Sequence, residues 1–514
     1  MTGAESLVRS LVAGGVEVCF ANPGTTEMSL VAALDAVPGM RSVLGLFEGV
    51  CTGAADGYAR MQRRPAMTLL HLGPGFANGI ANLHNARRAH SPVVNVVGDM
   101  ATWHRAADAP LASDIASLAR PVSVRVETAE DEGSLAACGV QALAASQALP
   151  GGVATVIAPA DRQWETCSAL PRAAAPQPED LDDAALARAA TFVCEGASAL
   201  LLLGGRALGE RGLRAAARIA AATGCRVRRE NFSARVEVGR GLPAFERVPY
   251  FPEQAIDALA GVTRLVCAGA REPVSFFGYP GQPSRLAPRG CEVLEWSARN
   301  DLEAGLEALA EHVGAADGVD VEAREAPVPP TGSGPLDVGA LGVALAALQP
   351  EGAIVVDEAA TSGLGYAMTS AAATPHTELG LTGGAIGQGL PCATGAAIAC
   401  PDRPVIAFQA DGSGMYTLQA LWTQAREGLD ITTIVCANRR YRILEVELGR
   451  AGIAEPGPAA RALTHLGDPE LDWVALASGM GVPGTRVDCA DALVTALRRA
   501  FAEPGPSLIE VVLP

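Results

Sequence analysis

Two polar residues, Asp411 and Asn438, follow directly on apolar runs in the last part of the chain. Asp411 comes after PVIAFQA and opens the turn DGSG, and Asn438 comes after ITTIVCA. Their spacing of 27 residues fits one strand–helix–strand crossover with a helix over 412–427, which brings both side chains to the carboxyl ends of parallel strands. Two oxygen donors and a nearby backbone carbonyl suit Mg²⁺, which also binds phosphate oxygens. A plain helix cap is the alternative for Asp411 alone, but the matching position of Asn438 favours the metal.

The composition is that of a globular α/β enzyme. Hydrophobic residues make up 49% of the 514 residues, charged residues make up 18%, and the formal net charge is -17. This charge argues against nucleic acid or an anionic membrane surface as the main partner. The 39 basic residues are all arginine, which excludes enzymes that form a Schiff base on a lysine.

The cysteines and the N-terminus point to an intracellular protein. The 12 cysteines contain no CxxC pair, and several of them, such as Cys19, Cys267 and Cys436, lie in apolar runs. We therefore expect buried, reduced thiols. The segment MTGAESLVRSLVAGGVEVCF resembles neither a signal peptide nor a membrane span, because it has an early acid and only a short apolar run. The predicted location is the cytoplasm.

Short apolar runs alternate with alanine-rich segments along most of the chain, which predicts parallel α/β layers. Two proline-rich segments, 171–183 and 322–335, are predicted linkers. They divide the chain into three doubly wound α/β domains with parallel sheets, at 1–170, 184–322 and 336–514. The predicted strands are VEVCF, SVLGLF, AMTLLHL, PVVNVVG, ALLLLG, RLVCAGA, CEVLEW, AIVVDE, PVIAFQAD, ITTIVCAN and LIEVVLP.

The segments ADGSG and ANRRY, at their spacing in this chain, resemble the thiamine diphosphate motif of the acetolactate synthase, pyruvate decarboxylase and benzoylformate decarboxylase superfamily. That motif is usually GDG followed by NN, so Ala410 and Ala437 depart from it at positions that do not bind the metal. The resemblance implies that Asp411, Asn438 and the backbone carbonyl of Arg440 bind Mg²⁺.

Two further segments resemble other parts of the same active site. FEGVCTGAADGYAR (47–60) places Glu48 between an apolar run and a small-residue helix start, so we expect a poorly solvated carboxyl. The resemblance implies that Glu48 hydrogen-bonds N1′ of the aminopyrimidine and promotes removal of the C2 proton of the thiazolium. In GGAIGQGLP (383–391), it implies that Ile386 supports the folded cofactor and that the Gly384 carbonyl accepts from the 4′-amino group.

The resemblance identifies the three predicted domains, in chain order, as pyrimidine-binding, central and diphosphate-binding. It implies thiamine diphosphate and Mg²⁺ as cofactors and a homodimer or homotetramer, because the two binding domains of this family meet across a subunit interface. FAD is not expected, since the chain has no GxGxxG segment. The implied cofactor-binding residues are Asn22, Pro23, Gly24, Thr25, Gly384, Ile386, Gly412, Ser413, Tyr441 and Ile443.

The segments ANPGTTE, LLHLGPG and NLHNARRAHSPVV resemble benzoylformate decarboxylases and their acetolactate-synthase-like relatives. This similarity implies that His71 is catalytic and that Thr25 contacts substrate, although a hydrogen-bonded core histidine is the alternative for His71. The second histidine of the decarboxylase would fall in 272–281, where this chain has Phe276 and Phe277. Without that proton donor, release of a free aldehyde is slower, which favours carboligation.

The substrate pocket departs from both relatives. The segment GDMATWHRAADAPLASD replaces the glutamine segment of acetolactate synthases, and its Asp99 and His104 either line the cleft or lie in a solvated loop. Glu447 replaces an aromatic residue and Ala360 a threonine of the benzoylformate enzyme, which indicates a polar or cationic group on one substrate. The predicted pocket residues are Thr25, His71, Phe277, Ala360, Leu444 and Glu447.

These features predict thiamine-diphosphate- and Mg²⁺-dependent decarboxylation of a 2-oxo acid, with carboligation to an acceptor carbonyl. The alternatives are a simple benzoylformate-decarboxylase-like enzyme, a 2-hydroxyacyl-CoA lyase and a non-catalytic regulatory subunit that binds the cofactor. Retention of Glu48 argues against the last, because this residue serves proton transfer more than affinity. The predicted partners are small molecules, with no nucleic acid and no membrane.

Overall fold

The computed structural model describes residues 1–168, 177–318 and 321–514. The chain divides into two compact units. The first contains Met1–Pro176, Pro327–Ser370 and Leu381–Pro514, and the second contains Gln177–Ala326 and Ala371–Gly380. No helix among the described residues is both long and apolar enough to span a bilayer.

The N-terminal part of the first unit is a six-stranded parallel sheet with helices on its faces. The strand order is β2-β1-β3-β4-β6-β5, so the chain leaves β1 towards one side for β2 and then crosses to the other side for β3. This switch point is where doubly wound sheets bind ligands. The strands are β1 (Val18–Asn22), β2 (Arg41–Leu44), β3 (Ala66–Leu70), β4 (Val93–Asp99), β5 (Arg125–Thr128) and β6 (Val153–Pro159). The helices are α1 (Gly3–Ala13), α2 (Met28–Ala36), α3 (Glu48–Gln62), α4 (Leu72–Arg88), α5 (Ile115–Ala119), α6 (Leu135–Gln147) and α7 (Ala160–Trp164).

The second unit is built on a four-stranded parallel sheet in the order β11-β10-β7-β8. Its strands are β7 (Ala199–Leu203), β8 (Arg226–Arg229), β9 (Val236–Val238), β10 (Arg264–Ala268) and β11 (Glu292–Trp296). Its helices are α8 (Asp183–Val193), α9 (Glu210–Thr223), α10 (Pro252–Ala258) and α11 (Leu302–His312).

The C-terminal part of the first unit carries five parallel strands in the order β16-β17-β15-β14-β12. The strands of this part of the chain are β12 (Ile354–Glu358), β13 (His376–Gly380), β14 (Val405–Ala410), β15 (Ile431–Ala437), β16 (Gly484–Val487) and β17 (Ser507–Val512). Strand β13 belongs to the second unit, where it pairs antiparallel with β9. The helices are α12 (Val338–Leu348), α13 (Leu364–Thr369), α14 (Gly389–Ala399), α15 (Asp411–Gly414), α16 (Ala420–Glu427), α17 (Arg442–Arg450), α18 (Pro458–Thr464), α19 (Trp473–Gly479) and α20 (Ala490–Ala502).

The predicted parallel α/β class is confirmed, and a strand lies at each of the eleven predicted runs. The proposed domain boundaries stay predictions. Residues 171–176 of the first predicted linker lie outside the described residues, and 322–335 contains no helix or strand. The cysteines form no disulfide among the described residues, and most of them are buried, with Cys194 as an exposed exception.

The continuous helix predicted over 412–427 is wrong. Helix α15 is a single turn, and α16 begins only at Ala420. Between them the backbone uses short i→i+3 bonds, such as Thr417 N–H to Gly414 O at 3.3 Å. The Thr417 hydroxyl donates to the distant carbonyl of Gly387 at 2.9 Å. This long-range bond favours a turn over a regular helix at that position.

Candidate active site

The loops that follow β1 and β3 contact each other at the switch point of the first sheet. His71 directly follows β3, and its Nδ1 lies 2.7 Å from Oε2 of Glu27, which is fully buried. The Thr26 hydroxyl donates to Oε1 of Glu27 at 2.6 Å. Since the carboxylate accepts, Nδ1 carries the hydrogen and Nε2 of His71 is left for proton exchange. Thr25 is exposed on the same loop, so the structure brings Thr25 and His71 to one edge.

Glu27 is a site residue that the sequence analysis missed. Its carboxylate also accepts the N–H of Gly24 at 2.8 Å. Two glycines leave the necessary space: a Cβ at Gly98 would lie 1.6 Å from Oε1 of Glu27, and a Cβ at Gly24 would lie 2.3 Å from the His71 ring. The available signal was the acid at the end of ANPGTTE, but its partner is 44 residues away in the sequence.

Glu48 begins α3 and is only half-buried, which corrects the expectation of a poorly solvated carboxyl. One oxygen, Oε2, accepts from Nδ2 of Asn78 at 3.0 Å. A Cβ added at Gly75 would lie 3.0 Å from Oε1 of Glu48 and 3.4 Å from Cβ of His71. Glu48 and His71 therefore both lie close to the same glycine. The carboxyl is less enclosed because Glu48 is the first residue of α3, beyond the carboxyl ends of the strands.

The loop that contains Gly384 and Ile386 is held by α4. Asn85 donates to the carbonyl of Ala385 at 2.8 Å and accepts the N–H of Ala385 at 3.3 Å. Nε2 of His84 lies 3.1 Å from the carbonyl of Gly383. Gly384 is exposed with a φ of 74°, and Ile386 is half-buried. Contacts from α4 therefore hold the backbone on either side of Gly384.

Asp411 is a buried carboxylate at the carboxyl end of β14. Its Oδ1 accepts the N–H of Gly412 and its Oδ2 accepts the N–H of Arg439, both at 2.7 Å. Burial raises its pKa, and these backbone N–H groups oppose the shift. No arginine or histidine in the described parts of the chain forms an ion pair with Asp411. A buried carboxylate that has backbone donors but no ion pair within the described residues fits a bound divalent ion.

Asn438 and Arg440 complete the predicted metal set on the neighbouring strand. Oδ1 of Asn438 accepts the N–H of Arg440 at 3.2 Å, and both residues are half-buried. No cluster of three or more His, Cys, Asp or Glu residues occurs within the described ranges. Any ion in this place would therefore depend on mixed ligands: a carboxylate, an amide and a backbone carbonyl.

The remaining predicted cofactor residues lie at or just after the carboxyl ends of β1, β14 and β15. Nδ2 of Asn22 donates to the carbonyl of Gly45 at 2.8 Å, and Pro23 is half-buried beside it. The Tyr441 ring lies over Gly412, where an added Cβ would be 2.5 Å from Cε1 of the tyrosine. Ser413 is buried, and its hydroxyl donates to the carbonyl of Ala410 at 3.2 Å.

Backbone strain concentrates next to these residues. Six non-glycine residues in the described ranges have a positive φ, and three of them, Leu72, Ala360 and Arg439, follow strands of the candidate site. Their φ values are 52°, 51° and 58°. Such conformations cost free energy and are commonly found at functional sites.

The predicted pocket residues fall on different elements. Ile443, Leu444 and Glu447 lie on α17, none of whose residues is fully buried, and this helix packs on the 3-10 turn that begins at Ala360. Leu444 is 45% exposed. Phe277 belongs to the second unit, where its ring packs edge-on against Phe276 with 4.7 Å between centroids.

A cleft of about 450 Å³ lies beside Thr25. Its walls include Met28, Trp103, His104 and Trp164. His104 borders this cleft, and its place at the substrate pocket stays a prediction. Asp99 does not line it, since its carboxylate is buried against Nε of Arg105 at 2.7 Å.

Comparison with known proteins identifies the family of this chain. The family model for the thiamine pyrophosphate enzyme N-terminal TPP binding domain matches residues 1–118, and the model for the C-terminal TPP binding domain matches 365–511. A Mycobacterium tuberculosis protein named "Putative acetolactate synthase large subunit IlvX" is 50% identical over 100% of this chain and 99% of its own length. Benzoylformate decarboxylase of Pseudomonas aeruginosa is 29% identical over 97% of this chain and 96% of its own length.

Solved structures show the same fold. The thiamine diphosphate-dependent 4-hydroxybenzoylformate decarboxylase of Rhodococcus jostii RHA1 superimposes with a TM-score of 0.89 at 24% identity, covering 100% of this chain and 99% of the other. A Mycobacterium smegmatis protein described as a "putative thiamin diphosphate-dependent enzyme" gives a TM-score of 0.81 at 26% identity, with 100% of both chains covered.

Proposed function

Because this chain belongs to the thiamine pyrophosphate enzymes, we propose that it decarboxylates a 2-oxo acid and transfers the remaining acyl unit to an acceptor carbonyl. The bound thiamine diphosphate supplies the electron sink for loss of CO₂. The observation that carries the proposal is that Glu48 and His71 both lie close to Gly75, at the switch point of the first sheet. The carboxyl of Glu48, which would exchange a proton with the cofactor, therefore lies close to His71, whose imidazole would exchange one with the substrate.

We propose that Asp411, Asn438 and the backbone carbonyl of Arg440 hold Mg²⁺, which would bind the diphosphate. The support is the buried carboxylate of Asp411, which has two backbone donors and no ion pair in the described residues. A divalent ion would offset the cost of burying this charge. The carbonyl of Gly384, which is an exposed residue, and the side chain of Ile386 would contact the other end of the cofactor.

Glu48 and His71 would each control one proton. Among the described residues, Glu48 accepts a hydrogen bond only at Oε2, from Asn78, which leaves Oε1 to share a proton with N1′ of the aminopyrimidine. His71 is held through Nδ1 by Glu27, which leaves Nε2 to exchange a proton with the substrate. General acid–base groups of this kind contribute about 10²–10⁴-fold to rate.

The proton balance separates the two possible outcomes. Carboligation combines a 2-oxo acid anion, an acceptor aldehyde and one proton to give CO₂ and a 2-hydroxy ketone, with the proton ending on the acceptor oxygen. Simple decarboxylation combines the anion and one proton to give CO₂ and an aldehyde, with the proton ending on carbon. The enzyme's preference therefore depends on where a proton donor stands relative to the acyl carbon.

One observation favours simple decarboxylation as a second candidate. His104 lines the cleft beside Thr25, so a second imidazole is near one predicted substrate residue, although it is not in 272–281. Replacement of His104 by Gln would lower the aldehyde yield relative to the ligated product if this residue donates the proton to carbon.

The residues that line the cleft also indicate which kind of substituent it could bind. Its walls carry two tryptophans and two methionines, and His104 is its one titratable side chain among the described residues. Arg105 is bound to Asp99 and Glu130 and does not line it. We propose that the cleft takes an uncharged apolar substituent, whereas Glu447 on α17 would contact a polar or cationic group of the other substrate.

A product assay tests this function. The wild-type enzyme, Mg²⁺ and thiamine diphosphate would be incubated with pairs of 2-oxo acids and aldehydes, and CO₂, aldehyde and hydroxy ketone would be measured. We expect CO₂ and a hydroxy ketone, with neither formed when thiamine diphosphate is omitted. An aldehyde as the sole product would favour the second candidate, and no CO₂ from any 2-oxo acid would overturn both.

We further propose that the active form is a homodimer or homotetramer. The side chains of Leu444 on α17 and Tyr416 beside α15 are 45% and 54% exposed, which supports a covering partner at this edge. Light scattering after size-exclusion chromatography, with activity measured on each fraction, would test it. An active monomer would contradict the proposal.

A further inference from the structure

Glu358 is a second glutamate at the candidate site. It ends β12 and is buried, with 4% of its surface exposed. Its Oε1 accepts the N–H of Gly387 at 2.7 Å, and its Oε2 accepts the N–H of Gly389 at 2.6 Å. Nε2 of Gln409 also donates to Oε2 at 3.1 Å. Both oxygens are thus bound to donors, and no cation pairs with the carboxylate among the described residues.

The carboxylate of Glu358 is in close contact with the backbone of the loop that follows Ile386. A Cβ at Gly389 would lie 2.8 Å from Oε2 of Glu358 and 2.2 Å from Oε1 of Gln409. Gly387 has a φ of 94°, which a side chain would disfavour. The two glycines therefore allow the backbone to approach the carboxylate.

Gln409 extends this contact to the turn that carries Asp411. Its Nε2 donates to the Ser413 hydroxyl at 2.5 Å as well as to Glu358. Gln409 is itself fully buried at the end of β14. One chain of hydrogen bonds thus runs from the N–H groups of Gly387 and Gly389, through Glu358 and Gln409, to Ser413.

We propose that Glu358 is a positioning residue that fixes the 383–389 loop and the Asp411–Gly414 turn relative to each other. This inference rests on the proposed function, which assigns the loop to the aminopyrimidine end of the cofactor and the turn to its diphosphate end. Because the loop and the turn bind the two ends of one rigid ligand, an error in their spacing weakens binding.

Capping of α14 alone is the competing explanation, since Gly389 begins that helix. A cap would stabilise the fold without affecting the turn at Asp411. Gln409 separates the two explanations, because its side chain links Glu358 to Ser413 and does not cap α14. Replacement of Gln409 by Met removes the link and keeps the three contacts of Glu358 to backbone N–H groups.

The test uses Glu358→Gln, Gln409→Met and the control Glu510→Gln. Glu510 is a buried carboxylate on β17 of the same sheet, with Nε of Arg486 at 3.6 Å. The first measurement is amide hydrogen exchange of the protein without cofactor. We expect exchange in 383–391 to rise about tenfold in Glu358→Gln and to stay unchanged in Glu510→Gln, because only the first variant places an amide NH₂ against the loop donors.

The second measurement is the affinity for thiamine diphosphate with Mg²⁺, followed by tryptophan fluorescence. We expect affinity to fall about tenfold in Glu358→Gln and about threefold in Gln409→Met, with Glu510→Gln within a factor of two of wild type. Affinity within a factor of two of wild type in either Glu358→Gln or Gln409→Met would overturn the positioning role. Failure of the wild type to bind thiamine diphosphate would instead overturn the proposed function.

Discussion

Two carboxylates of the candidate site, Glu48 and Glu358, differ in their burial and in the number of hydrogen bonds that they accept. Glu48 is half-buried and has one side-chain donor, Asn78. Glu358 is buried and accepts from three backbone N–H groups and Gln409. A proton can reach Glu48 from solvent or a ligand, whereas the hydrogen-bond positions of Glu358 are occupied. The difference supports the proposed roles, in which Glu48 exchanges protons and Glu358 holds backbone in place.

Replacement of Glu48 by Gln gives the largest predicted effect. We expect turnover to fall about 10³-fold, because the amide cannot share a proton with the cofactor. The change in melting temperature should be small, since the carboxyl is half-solvated and accepts only one side-chain hydrogen bond. Steady-state kinetics and thermal denaturation measure the two effects, with the exposed Asp402→Asn as a neutral control. Turnover above a tenth of wild type would break the distinction between the two glutamates.

Replacement of Asp411 by Asn should remove the metal rather than the fold. We expect affinity for thiamine diphosphate in the presence of Mg²⁺ to fall about 100-fold, because the amide lacks the negative charge that would balance the proposed ion. The Gly412 N–H can still bond to the amide oxygen. Titration at several Mg²⁺ concentrations measures the effect. Unchanged Mg²⁺ dependence in this variant would place the ion elsewhere.

A double-mutant cycle on Glu27 and His71 tests whether the buried carboxylate of Glu27 affects turnover through the His71 ring. Glu27→Gln and His71→Gln should each lower kcat about 10–100-fold, and the double variant should lose little more than His71→Gln alone. The reason is that Glu27 acts by holding Nδ1 of His71 at 2.7 Å. Fully additive losses would show that the two residues act independently.

Glu230, in the second unit, extends the comparison to a carboxylate with few donors. It accepts one backbone N–H, from Gly205 at 2.9 Å. Burial raises its pKa to about 7 from 4.5, partly opposed by that N–H and by Arg229. The folded state therefore favours the protonated acid. Its favourable contribution is present below about pH 4.5 and is lost as the pH rises towards 7.

Glu230→Gln should accordingly raise stability most at pH 8, by on the order of 1–3 kcal/mol. The amide oxygen can still accept from Gly205, and the variant carries no charge to desolvate. Thermal denaturation at pH 5 and pH 8 measures the difference, with the exposed Glu311→Gln on α11 as the matched control. An equal shift at both pH values would contradict the assigned pKa.

The sequence predicts best those parts of the molecule that depend on local pattern. The apolar runs before Asp411 and Asn438 predict β14 and β15, because buried parallel strands are continuous apolar segments. The resemblance of the flanking motifs then identifies the enzyme family. The starting position of α3 at Glu48 follows in the same way from a change of apolar run to small residues.

The parts that escaped prediction depend on partners far apart in the sequence. Glu27 bonds to His71, and Glu358 bonds to the loop at 387–389 and to Gln409. The break after α15 depends on Thr417 reaching Gly387. Since no local periodicity encodes such contacts, only the folded chain reveals which acids are positioned for chemistry and which hold the backbone.

The most direct test of the account is the rate at which enzyme-bound thiamine diphosphate exchanges its C2 hydrogen with D₂O, measured by quenched-flow NMR. We expect the wild-type enzyme to accelerate this exchange by about a thousandfold or more over the free cofactor. We expect Glu48→Gln to bind the cofactor and to leave the exchange rate near that of the free cofactor. Exchange in Glu48→Gln as fast as in wild type would contradict the role of Glu48 on which the proposed function depends.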